Sequence, residues 1–222
     1  MTRLALFDLD HTLLSGDSDV LWCDFLIEEG LLDRAEFEPR NRAMAERYAQ
    51  GLATAAEFCG FYALTVAGVR PADWQPLRER FLAAVIAPRI PSSARALVER
   101  HREVGDRVVL TTATNRFLTE LTARHLRIDD LIATDREMVD GLFTGRTAGT
   151  PNMREGKVER LRTWLAAQGI EASALGQAAF YSDSKNDLPL LLAVGRPVAV
   201  DPDEVLEARA VAAGWPILRL AR

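Results

Sequence analysis

Apolar residues recur along this chain with two periods, and the period changes at a few well-marked places. Residues 3–7 are read as a short buried strand from the apolar run of residues 4–7, which stops abruptly at Asp8. From Ser18 to about Ala87 the spacing is helical. In "SDVLWCDFLIEEGLL" the residues Val20, Leu21, Phe25 and Leu26 fall near the helical period, and Gly30 supplies a stop. "RNRAMAERYAQG" and "ATAAEFCGFYALTVAG" predict further helices ending near glycines, and "PADWQPLRERFLAAVIA" lies between Pro71 and Pro88. Beyond this block, helix and strand alternate. Helices are predicted at 92–105, 116–126, 154–169, 187–195 and 202–214, and strands at 107–114, 130–134, 178–183, 196–200 and 215–220. Asp140-Gly141 between apolar pairs marks a hairpin.

Strands alternating with helices imply a parallel sheet with right-handed crossovers. The expected architecture is therefore a doubly wound α/β core, Rossmann-like, with a helical subdomain inserted after its first strand. The expected boundaries are a core of residues 1–15 and 89–222 and a helical domain of residues 16–88. With 48% of its 222 residues hydrophobic, the chain has material for a real core.

Composition narrows the setting. No apolar run approaches the length of a membrane span, and the N-terminus has no signal-peptide layout because Asp8 cuts the first apolar stretch short. Cys23 and Cys59 cannot build a disulfide framework and read as buried thiols in a reducing cytosol. A net charge of −5 argues against a nucleic-acid partner, and the arginines between 70 and 107 are interleaved with acids, as on a solvated helical face. The chain is expected to be cytoplasmic, with no nucleic-acid or membrane partner.

In doubly wound sheets ligands bind beyond the carboxyl ends of the strands. Those ends here carry Asp8-Leu9-Asp10, then Thr111-Thr112-Ala113-Thr114-Asn115, then "YSDSKND" at 181–187, with Lys157 near the start of a preceding helix. Each has a purely structural explanation. Asp8 and Asp10 suit a turn, Asp183 a strand end, Asp187 a helix N-cap, Thr112 a strand and Lys157 a solvated helix face. A calcium loop starting at Asp8 fails, because its sixth position is Leu13 and its twelfth Asp19. What favours chemistry is that all these groups fall at one sheet edge. Acids so gathered repel unless a cation sits among them, and oxygen ligands suit magnesium. A phosphate ester completes the set: an aspartate can attack phosphorus, a lysine and a metal can cancel the repulsion, and Asp10 can handle the proton.

The order D-x-D-x-T, a strand ending in Thr, a Lys, then D-x-x-x-D resembles the haloacid dehalogenase-like (HAD) phosphohydrolases across nearly the whole chain. The helical insertion between the first two motifs is similar to the phosphoserine phosphatase-like branch. "GDSD", "TATNRF", "EMVDG", "REGKV", "YSDSKNDLPLL" and "AVDPD" are similar to bacterial HAD hydrolases and histidinol-phosphatases. The resemblance implies Asp8 as nucleophile and Asp10 as general acid/base. It implies that Thr112, with the neighbouring Ala113, and Lys157 hold the phosphate, with Asn186 approaching phosphate or substrate. It also implies Mg2+ held by Asp8, the main-chain carbonyl of Asp10, and Asp183, with Asp187 in support through water.

In this branch a Glu usually stands where this chain has Asp17, as counter-ion for a substrate amine. Asp17 is equally well read as a helix N-terminal acid. No arginine motif for a substrate carboxylate is found. Histidinol phosphate, with an amine and no carboxylate, therefore suits slightly better than phosphoserine. The expected partner is a small phosphorylated metabolite. A mutase of the same superfamily and a phospho-accepting signalling module are the alternatives, the latter disfavoured by Asp10 and the long insertion. Trp22, Phe25, Phe58 and Tyr62 are read as packing of the inserted helices before a pocket lining, and His11 is not assigned a role.

Overall fold

A computed structural model of the protein describes residues 3–221. The first strand, β1 (Leu4–Phe7), is followed by four helices, α1 (Ser18–Glu28), α2 (Arg34–Ala49), α3 (Ala55–Ala63) and α4 (Gln75–Phe81). Then come α5 (Ser92–Glu103), β2 (Arg107–Asn115), α6 (Arg116–His125), and the hairpin of β3 (Asp130–Val139) and β4 (Leu142–Ala148). The chain closes with α7 (Glu155–Ala167), β5 (Ala179–Ser182), α8 (Leu188–Leu191), β6 (Arg196–Val200), α9 (Glu204–Ala213) and β7 (Ile217–Leu218).

The strands form one seven-stranded sheet in the order β4-β3-β2-β1-β5-β6-β7. Every neighbouring pair is parallel except β3 with β4. Strand β1 is central, and its four residues are fully buried because helices cover both faces of the sheet. Side chains alternate between those faces. Ala5 and Phe7 pack with Leu97, Val98, Phe117 and Tyr181, whereas Leu4 and Leu6 pack with Leu161, Leu165 and Phe180. The first cluster also takes in Trp22, Leu26 and Phe81, so the inserted helices share a core with the sheet. From β1 the chain builds outward through β2 and β3 on one side, and β5 and β6 on the other. This reversal opens a crevice at the carboxyl ends of β1, β2 and β5.

Several elements differ from the pattern-based expectation. Helix α2 begins at Arg34, with Asp33 as N-cap accepting from the Glu36 amide at 2.9 Å, and it runs through Pro39. Ala35 and Pro39 are both exposed, so the Ala35 carbonyl left without its amide partner can face water. The segment expected as one helix over 71–87 is instead a 3-10 turn, α4 and a π turn at Leu82–Ile86. Helix α8 stops at Leu191, short of the expected 195, and β7 has two residues. Strand β3 runs on to Val139 because its outer half pairs with β4. That hairpin packs on the inserted helices: the Gly68 amide donates to the Phe143 carbonyl at 2.7 Å and the Phe143 amide to the Val69 carbonyl at 2.9 Å. No single helix among the described residues is long and apolar enough to cross a membrane.

Candidate active site

Asp8 follows directly on β1, its amide bonded to the Tyr181 carbonyl of β5 at 3.0 Å, which fixes its backbone at the sheet switch point. The Lys157 ammonium, from the first turn of α7, donates to Asp8 Oδ1 and to Asp187 Oδ2, both at 2.7 Å. Ser182 Oγ donates to the same Asp187 oxygen at 2.7 Å. All three charged groups are buried. Burial alone would lower the Lys157 pKa, but the two carboxylates outweigh it and hold the ammonium charged.

Asp10 is oriented by the first turn of α1 and the end of β2. Its Oδ1 accepts from the Ser18 amide at 2.7 Å, and its Oδ2 from Thr114 Oγ1 at 2.9 Å and Thr112 Oγ1 at 3.3 Å. Asp183 is held by Thr12, whose hydroxyl donates to Asp183 Oδ1 at 2.9 Å and accepts from the Asp183 amide at 3.0 Å. Asp203 supports the same loop from below: its amide donates to the Asp183 carbonyl and its carboxylate accepts from the Lys185 amide. Asp17 is the N-cap of α1, accepting from the Asp19 and Val20 amides at 2.9 and 3.1 Å.

These groups line one partly open cavity. Its floor holds Asp8, Asp10, Asp17, Asp183, Asp187 and Lys157; Ala113, Thr114, His11 and Ser184 border it, and Tyr48, Phe58 and Met153 form its roof. Tyr48 and Phe58 come from the inserted helices and stack at 4.1 Å between ring centroids. The free space is about 40 Å3. That is room for a few waters, at roughly 10–15 Å3 each, and not for a phosphate ester. Room for an ester therefore requires the roof of Tyr48, Phe58 and Met153 to shift.

The match to the family of haloacid dehalogenase-like hydrolases covers residues 5–192. The chain belongs to that family. It is 40% identical over 219 residues to a histidinol-phosphatase of Neisseria meningitidis, covering 98% of this chain and 99% of that one. A crystal structure of a protein of unknown function from Bordetella pertussis superposes with a TM-score of 0.92 at 44% identity, covering 98% and 99% of the two chains. A phospho-aspartyl intermediate analogue of a phosphoserine phosphatase superposes with a TM-score of 0.70 at 17% identity, over 100% of this chain and 94% of that one, and shares its fold.

Phosphatases of this family generally use magnesium, and the donor chemistry here suits that ion. Five aspartates face one lysine across the cavity, and every candidate ligand is an oxygen. Burial pushes the Asp8 carboxyl well up; Lys157 opposes this, while Asp187, Asp183 and Asp10 add to it. Burial likewise pushes Asp183 up to about 7, against the Thr12 hydrogen bond. A divalent cation would relieve both. Among the described residues no three His, Cys, Asp or Glu side chains converge as a ready metal site.

The sign of the resulting pH dependence is definite. Carboxyls whose folded pKa is raised keep protons that the unfolded chain has released, so their contribution to stability is lost as pH rises from about 4 to about 7. A magnesium ion held by Asp8 and Asp183 would displace the protons on those two carboxyls. The gain in Tm on adding magnesium to the chelator-treated protein is therefore expected to be larger at about pH 8 than at about pH 5.5. Thermal unfolding with and without the ion checks this; a gain that shrinks with rising pH contradicts the assignment.

Of the residues singled out in the sequence, Asp8, Asp10, Asp17, Ala113, Lys157, Asp183 and Asp187 line the cavity together. Thr112 lies behind the wall, fully buried, with its hydroxyl turned to Asp10 and accepting from the Thr114 amide. Asn186 is also set back, its Oδ1 accepting from Arg154 Nε at 3.2 Å. Of the four aromatics, Phe58 lines the cavity while Trp22, Phe25 and Tyr62 pack; the Tyr62 hydroxyl donates to Asn41 Oδ1. Thr12, Thr114, Tyr48 and Met153 were not assigned roles from sequence. Thr12 and Thr114 stand within the motifs, and a count of hydroxyls beside each acid would have flagged them. Nothing local marks Tyr48.

Proposed function

We propose that this phosphatase of the haloacid dehalogenase-like family hydrolyses a small, amine-bearing phosphate monoester through a phosphoaspartate on Asp8. The single observation that carries the reading is the buried Lys157 ammonium, held at 2.7 Å from both Asp8 and Asp187 in a cavity that five aspartates line. A buried lysine clamped beside a nucleophilic carboxylate is placed to receive the charge of a transferring phosphoryl group.

Asp8 attacks phosphorus while Lys157 and backbone amides around Ala113 take up charge on the phosphoryl oxygens. Asp10, oriented by Ser18 and Thr114, gives its proton to the departing alkoxide and so becomes the base for the second step. It then takes a proton from water, which attacks the phosphoaspartate and releases inorganic phosphate, restoring Asp8 and protonated Asp10. Magnesium, when held by Asp8, the Asp10 carbonyl and Asp183 with Asp187 in support, supplies the positive charge that lets an anionic nucleophile approach an anionic ester. The helices of residues 16–88 are the cap, and Tyr48 and Phe58 keep bulk water out when it is shut.

Five acids against one lysine favour a substrate that brings its own cation, and Asp17 is placed to meet an amine. The likeness to a histidinol-phosphatase supports histidinol phosphate over phosphoserine. The same reading places the enzyme in the cytoplasm, acting on a free metabolite. Phosphate release with magnesium, compared across histidinol phosphate, phosphoserine, sugar phosphates and nucleotides, tests it. Preference for an amine without a carboxylate is expected, and equal rates on sugar phosphates would remove the role given to Asp17.

Asp10→Asn separates the two steps. Loss of the acid/base group is expected to cost about 10²- to 10⁴-fold in kcat. With an aryl phosphate, whose leaving group needs no proton, the variant should give a burst near one equivalent and then stall. Steady turnover at the wild-type rate would show that another group handles the proton.

A further inference from the structure

Between β4 and α7 the chain makes a short loop that holds both halves of the molecule. Asn152, fully buried, fixes it to the sheet: its side-chain amide donates to Thr111 Oγ1 and to the Thr112 and Ile132 carbonyls, at 2.9 to 3.0 Å. Residues 153–156 then form a tight turn closed by the Gly156 amide donating to the Met153 carbonyl at 3.0 Å. Only glycine fits at 156, where an added Cβ would lie 2.1 Å from the Pro151 carbonyl oxygen. One residue later Lys157 reaches Asp8.

Arg154 stands in that turn at φ 54° and ψ −126°. This is the geometry of the first central residue of a type II′ turn, where glycine is the default and an L side chain is strained by about 1–3 kcal/mol. The side chain makes two bonds from two different nitrogens. Nη2 donates to the Ala53 carbonyl, in the segment joining α2 to α3, at 2.9 Å. Nε donates to Asn186 Oδ1, in the loop that carries Asp183 and Asp187, at 3.2 Å. Gly51 lies against Lys185 of the same loop. Met153, beside Arg154, is buried among Ala53, Phe58 and Tyr62 of the inserted helices.

We propose that Arg154 is the clasp that holds the cap shut over the cavity, tying the 50–54 segment to the loop bearing Asp183 and Asp187. The proposal rests on the phosphatase reading, since the cavity is too small to admit an ester and must open and re-close around it. Arg154 is a positioning residue: it touches neither the nucleophile nor the acid, and it acts through Asn186 and through the placement of Tyr48 and Phe58.

Arg154→Gly is the informative variant, because it removes the side chain while relieving the backbone strain. Its Tm is expected to equal or exceed that of the wild type, while kcat/KM falls by about 10²- to 10⁴-fold, the scale of two hydrogen bonds from a charged donor. Arg154→Lys, able to make one bond of the two, should recover part of the loss. Amide hydrogen exchange supplies a readout independent of turnover. Inorganic phosphate with magnesium should slow exchange in residues 50–54 of the wild type and fail to do so in Arg154→Gly. Retained protection and wild-type kcat/KM in Arg154→Gly would overturn the clasp. If no ester were hydrolysed by the wild type yet the phosphate-induced protection still depended on Arg154, the clasp would stand and the phosphatase reading would fall.

Discussion

Asp8→Asn should abolish phosphate release, by on the order of 10⁴-fold or more, since an amide cannot form the phosphoaspartate and no second carboxylate shares its position on β1. The variant should nonetheless fold. Asn keeps the shape and an oxygen acceptor for Lys157, and it removes one negative charge from a cavity where burial and three neighbouring acids already push the Asp8 carboxyl upward. In the absence of magnesium its Tm is therefore expected to match or exceed that of the wild type, and the magnesium-induced gain in Tm to shrink. Loss of activity accompanied by unfolding would leave the nucleophile unproven. Retained turnover in a folded variant would refute it.

The second large effect is on Lys157→Met, which should damage stability as well as activity. It leaves Asp8 and Asp187 buried without the ammonium that bridges them. Breaking a buried ion pair by removing one partner costs about 3–5 kcal/mol. For a chain of this size that corresponds to a fall in Tm of roughly 6–20 °C. Activity should drop at least about 10²- to 10³-fold, the usual result of deleting one group that stabilises a developing charge. The destabilisation is expected to ease as pH falls, because a proton on Asp8 then does part of the work of the missing cation. Adding Asp8→Asn to Lys157→Met should recover part of the lost stability, a non-additivity that marks two residues in contact. Simple additivity would mean that the 2.7 Å contact contributes nothing to the fold.

The sheet was legible because its signals are local. A central strand buried on both faces must be apolar throughout, so residues 4–7 announced themselves, and Asp8 and Asp10 stood out at the end of the run. Lys157 and Asp183 could be placed at the same edge because strand–helix alternation fixes the direction of each strand. The inserted helices were harder to bound. The helix expected from Arg40 in fact begins at Arg34 and runs through an exposed Pro39, and the segment expected as one helix over 71–87 breaks into a π turn at Leu82–Ile86, with Phe81 and Ile86 in the shared core. The site itself was legible in its charges and not in its neutral groups. Which of Thr112 and Thr114 reaches the cavity depends on the bulge between Thr112 and Asn115 in the pairing of β2 with β3. Tyr48 meets the acids only because α2 and α3 fold back over the strand ends, a tertiary fact with no trace in residues 40–51.

The central claim is that phosphate passes through Asp8, and one measurement bears on it most directly. The enzyme, with magnesium and an aryl phosphate labelled in its phosphoryl group, is quenched in acid within the first turnovers, and the protein is digested and mapped. Label is expected on the peptide containing Asp8, more of it in Asp10→Asn than in the wild type, and none in Asp8→Asn. Turnover without any protein-bound label, or label elsewhere in the chain with Asp8→Asn still active, would contradict it.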